Sequence, residues 1–129
     1  MKLLLVDDSR TMRNIQKNIL KTLGDVAFTE AGDGLEALTC IAADPAGFDM
    51  ILVDWNMPNM DGLTLVTRIR TKDKRTPLVM VTTEAEKVRV IEAIKAGVNN
   101  YVIKPFTPDT LLEKFKQTLD KAQAPAAVA

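Results

Sequence analysis

One cysteine in 129 residues, Cys40, leaves no intrachain disulfide to hold this chain together. Its expected place is the buried side of a helix, as a small hydrophobe. Charge of one sign is also lacking: seventeen Lys and Arg balance seventeen Asp and Glu. A domain built mainly to hold nucleic acid needs a basic face, and the balance argues against one. No stretch approaches the ~20 apolar residues of a membrane span. Met1-Lys2 leads into a four-residue apolar run, too short for the core of a secretory signal. The chain is expected to be soluble and cytoplasmic. Neither Gly-x-Gly-x-x-Gly nor a Walker sequence occurs, so no loop built to cradle a nucleotide's phosphates is expected. What remains is ample for one domain: 47% hydrophobic residues for a core and 26% charged residues to cover it.

The residues that are present alternate between two periods. Leu3–Val6, Met50–Val53, Leu78–Val81 and Tyr101–Ile103 are short apolar runs, as in strands covered on both faces. Val26–Thr29 is a weaker strand. Apolar residues then recur at helical spacing: Met12, Ile15, Ile19, Leu20 and Leu23; Leu35, Leu38, Ile41 and Ala42; Leu63, Val66 and Ile69; Val88, Ile91 and Ile94; and Leu111, Leu112, Phe115 and Leu119. Gly24 and Gly97 sit where helix-ending glycines belong. Thr107-Pro108 reads as an N-cap followed by proline at the first helical position. Asn56–Gly62 is a loop. Five strands alternating with five helices predict an α/β fold, a parallel doubly wound sheet with right-handed crossovers. One domain spans 1–121, and the tail 122–129 is expected to fray.

Four of the apolar runs end in residues suited to phosphate or metal chemistry. Asp7 and Asp8 follow the first, Asp54 the second, Thr82 the third and Lys104 the last. In a parallel α/β sheet, ligands bind beyond the carboxyl ends of the strands. The pattern therefore gathers three carboxylates, a hydroxyl and an ammonium around one site. Carboxylates that close repel one another unless a divalent cation sits among them. Each residue has a plainer reading. Asp7 and Asp8 suit a helix N-cap, Thr82 a strand end and Lys104 an ordinary surface. Two adjacent acids at one strand end, with a third at another, favour metal binding. Asp61-Gly62 reads as turn chemistry and not as a ligand pair.

Leu5-Val6-Asp7-Asp8-Ser9, the segment Asp54 to Gly62, Val81-Thr82 and Lys104-Pro105-Phe106 together resemble the receiver domains of two-component response regulators. The likeness covers Met1 to about Lys121 and is strongest to the stand-alone chemotaxis type. It implies a flavodoxin-like strand order, 2-1-3-4-5, which brings Asp7 and Asp8 beside Asp54. It implies that Asp54 accepts a phosphoryl group from a histidine kinase, with Thr82 and Lys104 acting on the phosphoryl oxygens. It implies Mg²⁺, with Mn²⁺ as a substitute, bound by Asp8, Asp54 and the main-chain carbonyl of Asn56, with Asp7 acting largely through water. It further implies a cis Lys104–Pro105 bond. Phosphorylation would then change a partner face that includes Ala85, Lys87, Val90, Tyr101 and Lys114, with Tyr101 turning inward as Thr82 moves. Asn56 and Glu84 would tune the lifetime of the phosphate. Thr83 stands where the family usually has alanine or glycine, and its bulk would narrow access to the acyl phosphate.

The expected role is a monomeric signalling switch that catalyses its own phosphoryl transfer and dephosphorylation, in chemotaxis and flagellar motor control. Expected partners are the kinase, a motor-switch or other protein target, and a phosphatase. Nucleic acid and membrane are not expected. A phosphorelay shuttle is the alternative within the family. From a different class, a Mg²⁺-dependent aspartyl-phosphate phosphohydrolase usually carries Asp-x-Asp at its nucleophile. Here the position two after Asp54 is Asn56, which cannot serve as a general acid. A flavin or nucleotide carrier on the same fold would need the phosphate-cradling loop that is lacking, and would be coloured or nucleotide-loaded when purified.

Overall fold

The computed structural model describes residues 1–123. Its elements are β1 (Lys2–Val6), α1 (Arg10–Leu20), β2 (Ala27–Ala31), α2 (Gly34–Ala43), β3 (Met50–Val53), α3 (Gly62–Arg70), β4 (Leu78–Thr82), α4 (Lys87–Ala96), β5 (Asn100–Ile103) and α5 (Pro108–Gln123). The strands form one parallel sheet in the order β2-β1-β3-β4-β5. This is the expected doubly wound architecture. The expected tail begins inside α5 at Ala122 and, from residue 124, lies outside the described residues.

Alternation along the strands sorts the apolar residues into two cores. Leu4, Val6, Ile51, Val53, Leu78 and Met80 point to one face, where Ala37 of α2, Leu65, Val66 and Ile69 of α3, and Ala93 of α4 cover them. Leu3, Leu5, Met50, Leu52, Val79, Val81 and Val102 point to the other, under Ile19 and Leu20 of α1 and Leu111 and Phe115 of α5. Truncating a side chain such as Leu5 or Phe115 to alanine would cost roughly 2–5 kcal/mol. The two cores hold the central strands rigidly, and their carboxyl ends carry the site.

Helix starts follow local chemistry. Ser9, Asp33 and Asp61 cap α1, α2 and α3 by accepting from Met12, Glu36 and Thr64 amides. The hydroxyl of Thr107 accepts from Thr110 N–H at 3.1 Å, with Pro108 opening α5. Gly97, at φ +121°, ends α4.

Two details differ from the sequence reading, and a third adds to it. β2 runs later than Val26–Thr29, because Glu30 and Ala31 stay paired with Leu5 and Val6. Gly24 closes a 3-10 turn over Lys21–Leu23, since α1 stops at Leu20. The helix predicted from Val88, Ile91 and Ile94 is there, but that stripe faces outward. These residues are 65%, 41% and 56% exposed, and Ala93 with Val90 and Ala96 packs inward instead. Cys40 is half-buried on α2 against the first core.

Candidate functional site

The sheet hydrogen bonds continue one rung past the strands. Asp7 N–H donates to Ala31 O at 3.0 Å, Asp54 N–H to Val6 O at 2.9 Å, and Lys104 N–H to Thr82 O at 2.8 Å. Backbone pairing thus fixes Asp7, Asp54, Thr82 and Lys104 along one rim. Carboxylate oxygens of Asp7, Asp8 and Asp54 lie within 4.8 Å of one another. Asp7 is 1% exposed and Asp54 8%, while Asp8 faces solvent. The Lys104–Pro105 bond is cis.

Lys104 Nζ lies 2.7 Å from Asp7 Oδ2 and 3.3 Å from Asp54 Oδ2, with its side chain only 11% exposed. One amine, in contact with Asp7 and Asp54, stands in a cluster of three carboxylates, which leaves an acidic excess at the site. In a partly desolvated setting such a residue of charge is costly. A small dication with hard oxygen ligands answers both the charge and the spacing. The donor set therefore fits a divalent metal. Asp8 is exposed and Asp54 has only the long 3.3 Å contact to Lys104, while Asp7 has one oxygen on Lys104 at 2.7 Å and the other on Ser9 N–H at 2.9 Å.

Across the mouth, Asn56 Nδ2 donates to Glu84 Oε1 at 3.1 Å. Thr82 is fully buried, and its Oγ1 accepts a long 3.4 Å bond from Glu84 N–H. Thr83 is exposed at the rim. Tyr101 is turned inward, 9% exposed, and its hydroxyl donates to Glu84 O at 2.5 Å. Burial, and then the Glu84 carboxylate, push its phenol up to about 12. Glu84 thus touches the loop after Asp54, the threonine and the tyrosine. Of the residues assigned to a partner face, Ala85 and Lys87 are exposed, whereas Val90 and Lys114 are half-buried. Tyr101 packs against the first core.

Several contacts were not foreseen. Arg89 of α4 lies over the Trp55 ring, 5.3 Å from its centroid. Asn59, at φ 67°, donates to Asp33 Oδ2 at 2.8 Å, tying the loop after Asp54 to the start of α2. Arg13 of α1 donates to the main-chain oxygen of Asp7 at 2.6 Å. Gly62 sits so close to the Asp54 carbonyl that a Cβ would lie 2.1 Å from it. Asp61-Gly62 is therefore more than a turn: Asp61 caps α3 and Gly62 permits the helix to start against the Asp54 backbone. The glycine is visible in the sequence, but the close approach is a tertiary fact.

Comparison with known proteins agrees with this geometry. A family model described as the response regulator receiver domain matches residues 3–116. The chemotaxis protein CheY1 of Helicobacter pylori is 50% identical over 121 residues, 92% of this chain and 97% of that one. The chemotaxis protein CheY-3 of Vibrio cholerae is 46% identical, over 94% of this chain and 93% of that one. A crystal structure of a CheY-like receiver domain protein from Methanospirillum hungatei superposes with a TM-score of 0.85 at 30% identity, covering 95% of each chain.

Proposed function

This chain belongs to the response regulator receiver family, and on that premise we propose that it is a phosphorylation-driven switch whose acceptor is Asp54. The observation that carries the reading is the placement of Lys104 Nζ between Asp7 and Asp54, inside a cluster of three carboxylates at the carboxyl edge of the sheet.

A carboxylate oxygen of Asp54 attacks the phosphorus of a phosphohistidine on the kinase. A P–O bond forms, the P–N bond breaks, and the leaving imidazole recovers a proton. The product is an aspartyl phosphate, a high-energy acyl phosphate. There is little covalent work for the protein in such a transfer, so positioning and charge neutralisation carry it. Asp8, Asp54 and the Asn56 carbonyl would hold a divalent cation such as Mg²⁺, with Asp7 acting through water. When bound, that ion supplies the positive charge that lets two anions meet. Lys104 turns from Asp54 Oδ2 to the new phosphoryl oxygens as a point charge. Thr82 donates its hydroxyl to the same group.

Dephosphorylation returns the switch to rest. Attacking water must pass the Asn56–Glu84 bridge, and Thr83 narrows the same opening. The signal leaves through the face formed by α4, β5 and α5. Thr82 and Lys104 begin the segments that lead into α4 and α5, and Tyr101 locks inward on Glu84. The outward stripe of Val88, Ile91 and Ile94 supplies apolar area for a protein target on that face. A target shifts the equilibrium only if it binds the phosphorylated form better. The similarity to chemotaxis proteins favours a target in flagellar motor control, reached in the cytoplasm by a monomer. No helix among the described residues is long and apolar enough to cross a membrane.

The deciding experiment is phosphotransfer from a phosphohistidine kinase or a small acyl phosphate to wild type and Asp54→Asn. Wild type should be labelled in a Mg²⁺-dependent way and the variant should not. Full incorporation into Asp54→Asn would overturn the assignment.

A further inference from the structure

We infer that Arg13 is a positioning residue for the acidic turn after β1, and that through the Asp7–Asp8 peptide it sets how tightly a divalent cation is held at Asp8, an inference that rests on the metal site proposed above. Its Nη1 donates to the main-chain oxygen of Asp7 at 2.6 Å, and its Nε donates to Glu30 Oε1 at 2.9 Å. The second oxygen of Glu30 accepts from Lys17 Nζ at 2.9 Å. The Arg13 side chain is only 15% exposed. Hydrogen bonding from Lys17, and then from Arg13, holds the Glu30 carboxyl below its ordinary range against a partial desolvation that raises it. Glu30 belongs to β2, paired with Leu5, so the clamp is anchored in the sheet.

Asp7 is thereby pinned at every polar atom. Its N–H donates to Ala31 O, its carboxylate takes Ser9 N–H and Lys104 Nζ, and its carbonyl takes Arg13. That carbonyl shares a planar peptide group with the nitrogen of Asp8. Fixing the plane fixes the direction in which Asp8 leaves the backbone. Asp8 is exposed, and among the described residues no side chain bonds its carboxylate. Its aim toward a metal therefore comes from the main chain, and Arg13 holds that main chain.

Two effects of Arg13 compete. Its charge repels a cation, and its hydrogen bond pre-sets the ligand. Glu30 at 2.9 Å cancels most of the charge at a distance, and solvent screens the rest. The ligand effect is larger: outer-shell partners of metal ligands commonly change affinity by about 10–100-fold. Removing Arg13 should therefore weaken binding. Lysine, a point donor without the planar fork, cannot reach Asp7 O and Glu30 in the same geometry and should rescue only in part.

The test is Mg²⁺ titration of the full chain, read by emission of Trp55, its one tryptophan, with metal-free urea unfolding run beside it. Asp8→Ala should abolish the transition. Arg13→Met should raise the dissociation constant about tenfold, and Arg13→Lys should fall between it and wild type. An Arg13→Met protein that binds as wild type does, or more tightly, while Asp8→Ala fails to bind, overturns the role of Arg13 alone. So does a loss of metal-free stability with no change in Mg²⁺ affinity, which would make Arg13 merely structural. Wild-type titration by Asp8→Ala overturns the metal site and this inference with it. Should Arg13→Met not fold, Arg13→Lys decides: a raised dissociation constant supports the role and an unchanged one refutes it.

Discussion

Gly62→Ala tests whether close backbone approach at the start of α3 positions the acceptor. A Cβ on Gly62 falls 2.1 Å from Asp54 O and 2.9 Å from both Asp54 C and Trp55 Cα. Real Cβ atoms essentially never come within 3.0 Å. The two segments must therefore separate by about 1 Å in a core with no free space to absorb it. All three contacts are backbone, so no side-chain rotation relieves them. Separation also stretches the bond from Gly62 N–H to Trp55 O, now 2.8 Å. Against this, alanine gains at most about 1 kcal/mol in helix propensity. Overpacking costs about 1–3 kcal/mol and the stretched hydrogen bond about 1 kcal/mol more. The net expectation is a loss of about 1–3 kcal/mol, which lowers Tm by roughly 4 °C per kcal/mol in a domain of this size. The chemistry should suffer more. Displacing a reacting group by about 1 Å can cost about 100-fold in rate. Urea unfolding gives the first number, and the rate of labelling by a small acyl phosphate gives the second. An unchanged unfolding midpoint would refute the packing argument. A destabilised protein that labels at the wild-type rate would refute the positioning argument.

Thr82→Ala and Lys104→Arg should still be labelled, since neither is the nucleophile, but phosphorylation should lose most of its roughly 5–150-fold effect on target affinity; a normal cellular response in either variant removes that residue from the switch. Asn56→Lys and Glu84→Ala break the 3.1 Å bridge over the mouth and should alter phosphate lifetime without abolishing labelling, while Thr83→Ala should shorten it; unchanged decay in the two bridge variants counts against a gated water path. Tyr101, the only tyrosine, should ionise at about 12 where an ordinary phenol ionises at 10.0. Because the folded value is raised, this stabilisation is fully present below pH 10 and fades as pH rises toward 12. Ultraviolet difference titration showing ionisation near the ordinary value would mean that Tyr101 points outward in solution.

The sequence exposed the site more fully than the surface around it, for a physical reason. Strands β1, β3 and β4 are covered on both faces, so they appear as unbroken apolar runs, and whatever follows them must lie on one rim. Asp7, Asp8, Asp54 and Thr82 were legible on that ground, whereas Lys104 follows β5, an edge strand whose Ile103 is exposed. β2 is an edge strand whose residues are mostly exposed or half-buried, and its weaker pattern misplaced its limits. Arg13, Arg89 and Asp33 act from helices and their starts. Whether such a side chain reaches the site depends on how the helix is rotated on the sheet, which no local pattern encodes.

α4 carries that lesson into function. The spacing of Val88, Ile91 and Ile94 announced a helix. Periodicity fixes the period of an apolar stripe but not its direction. Here the inner face is filled by Ala93, with Val90 and Ala96 beside it, and the larger residues point away from the core. Their exposure contributes nothing to the stability of the isolated chain, since apolar area left in water gains no transfer free energy. The helix is adjacent to the segment from Thr82 to Glu84, where the hydrogen bonds of Thr82, Asn56 and Tyr101 to Glu84 converge. An apolar stripe left largely in water, on the helix that follows Thr82–Glu84, fits the proposed surface whose presentation to a target would change with phosphorylation of Asp54.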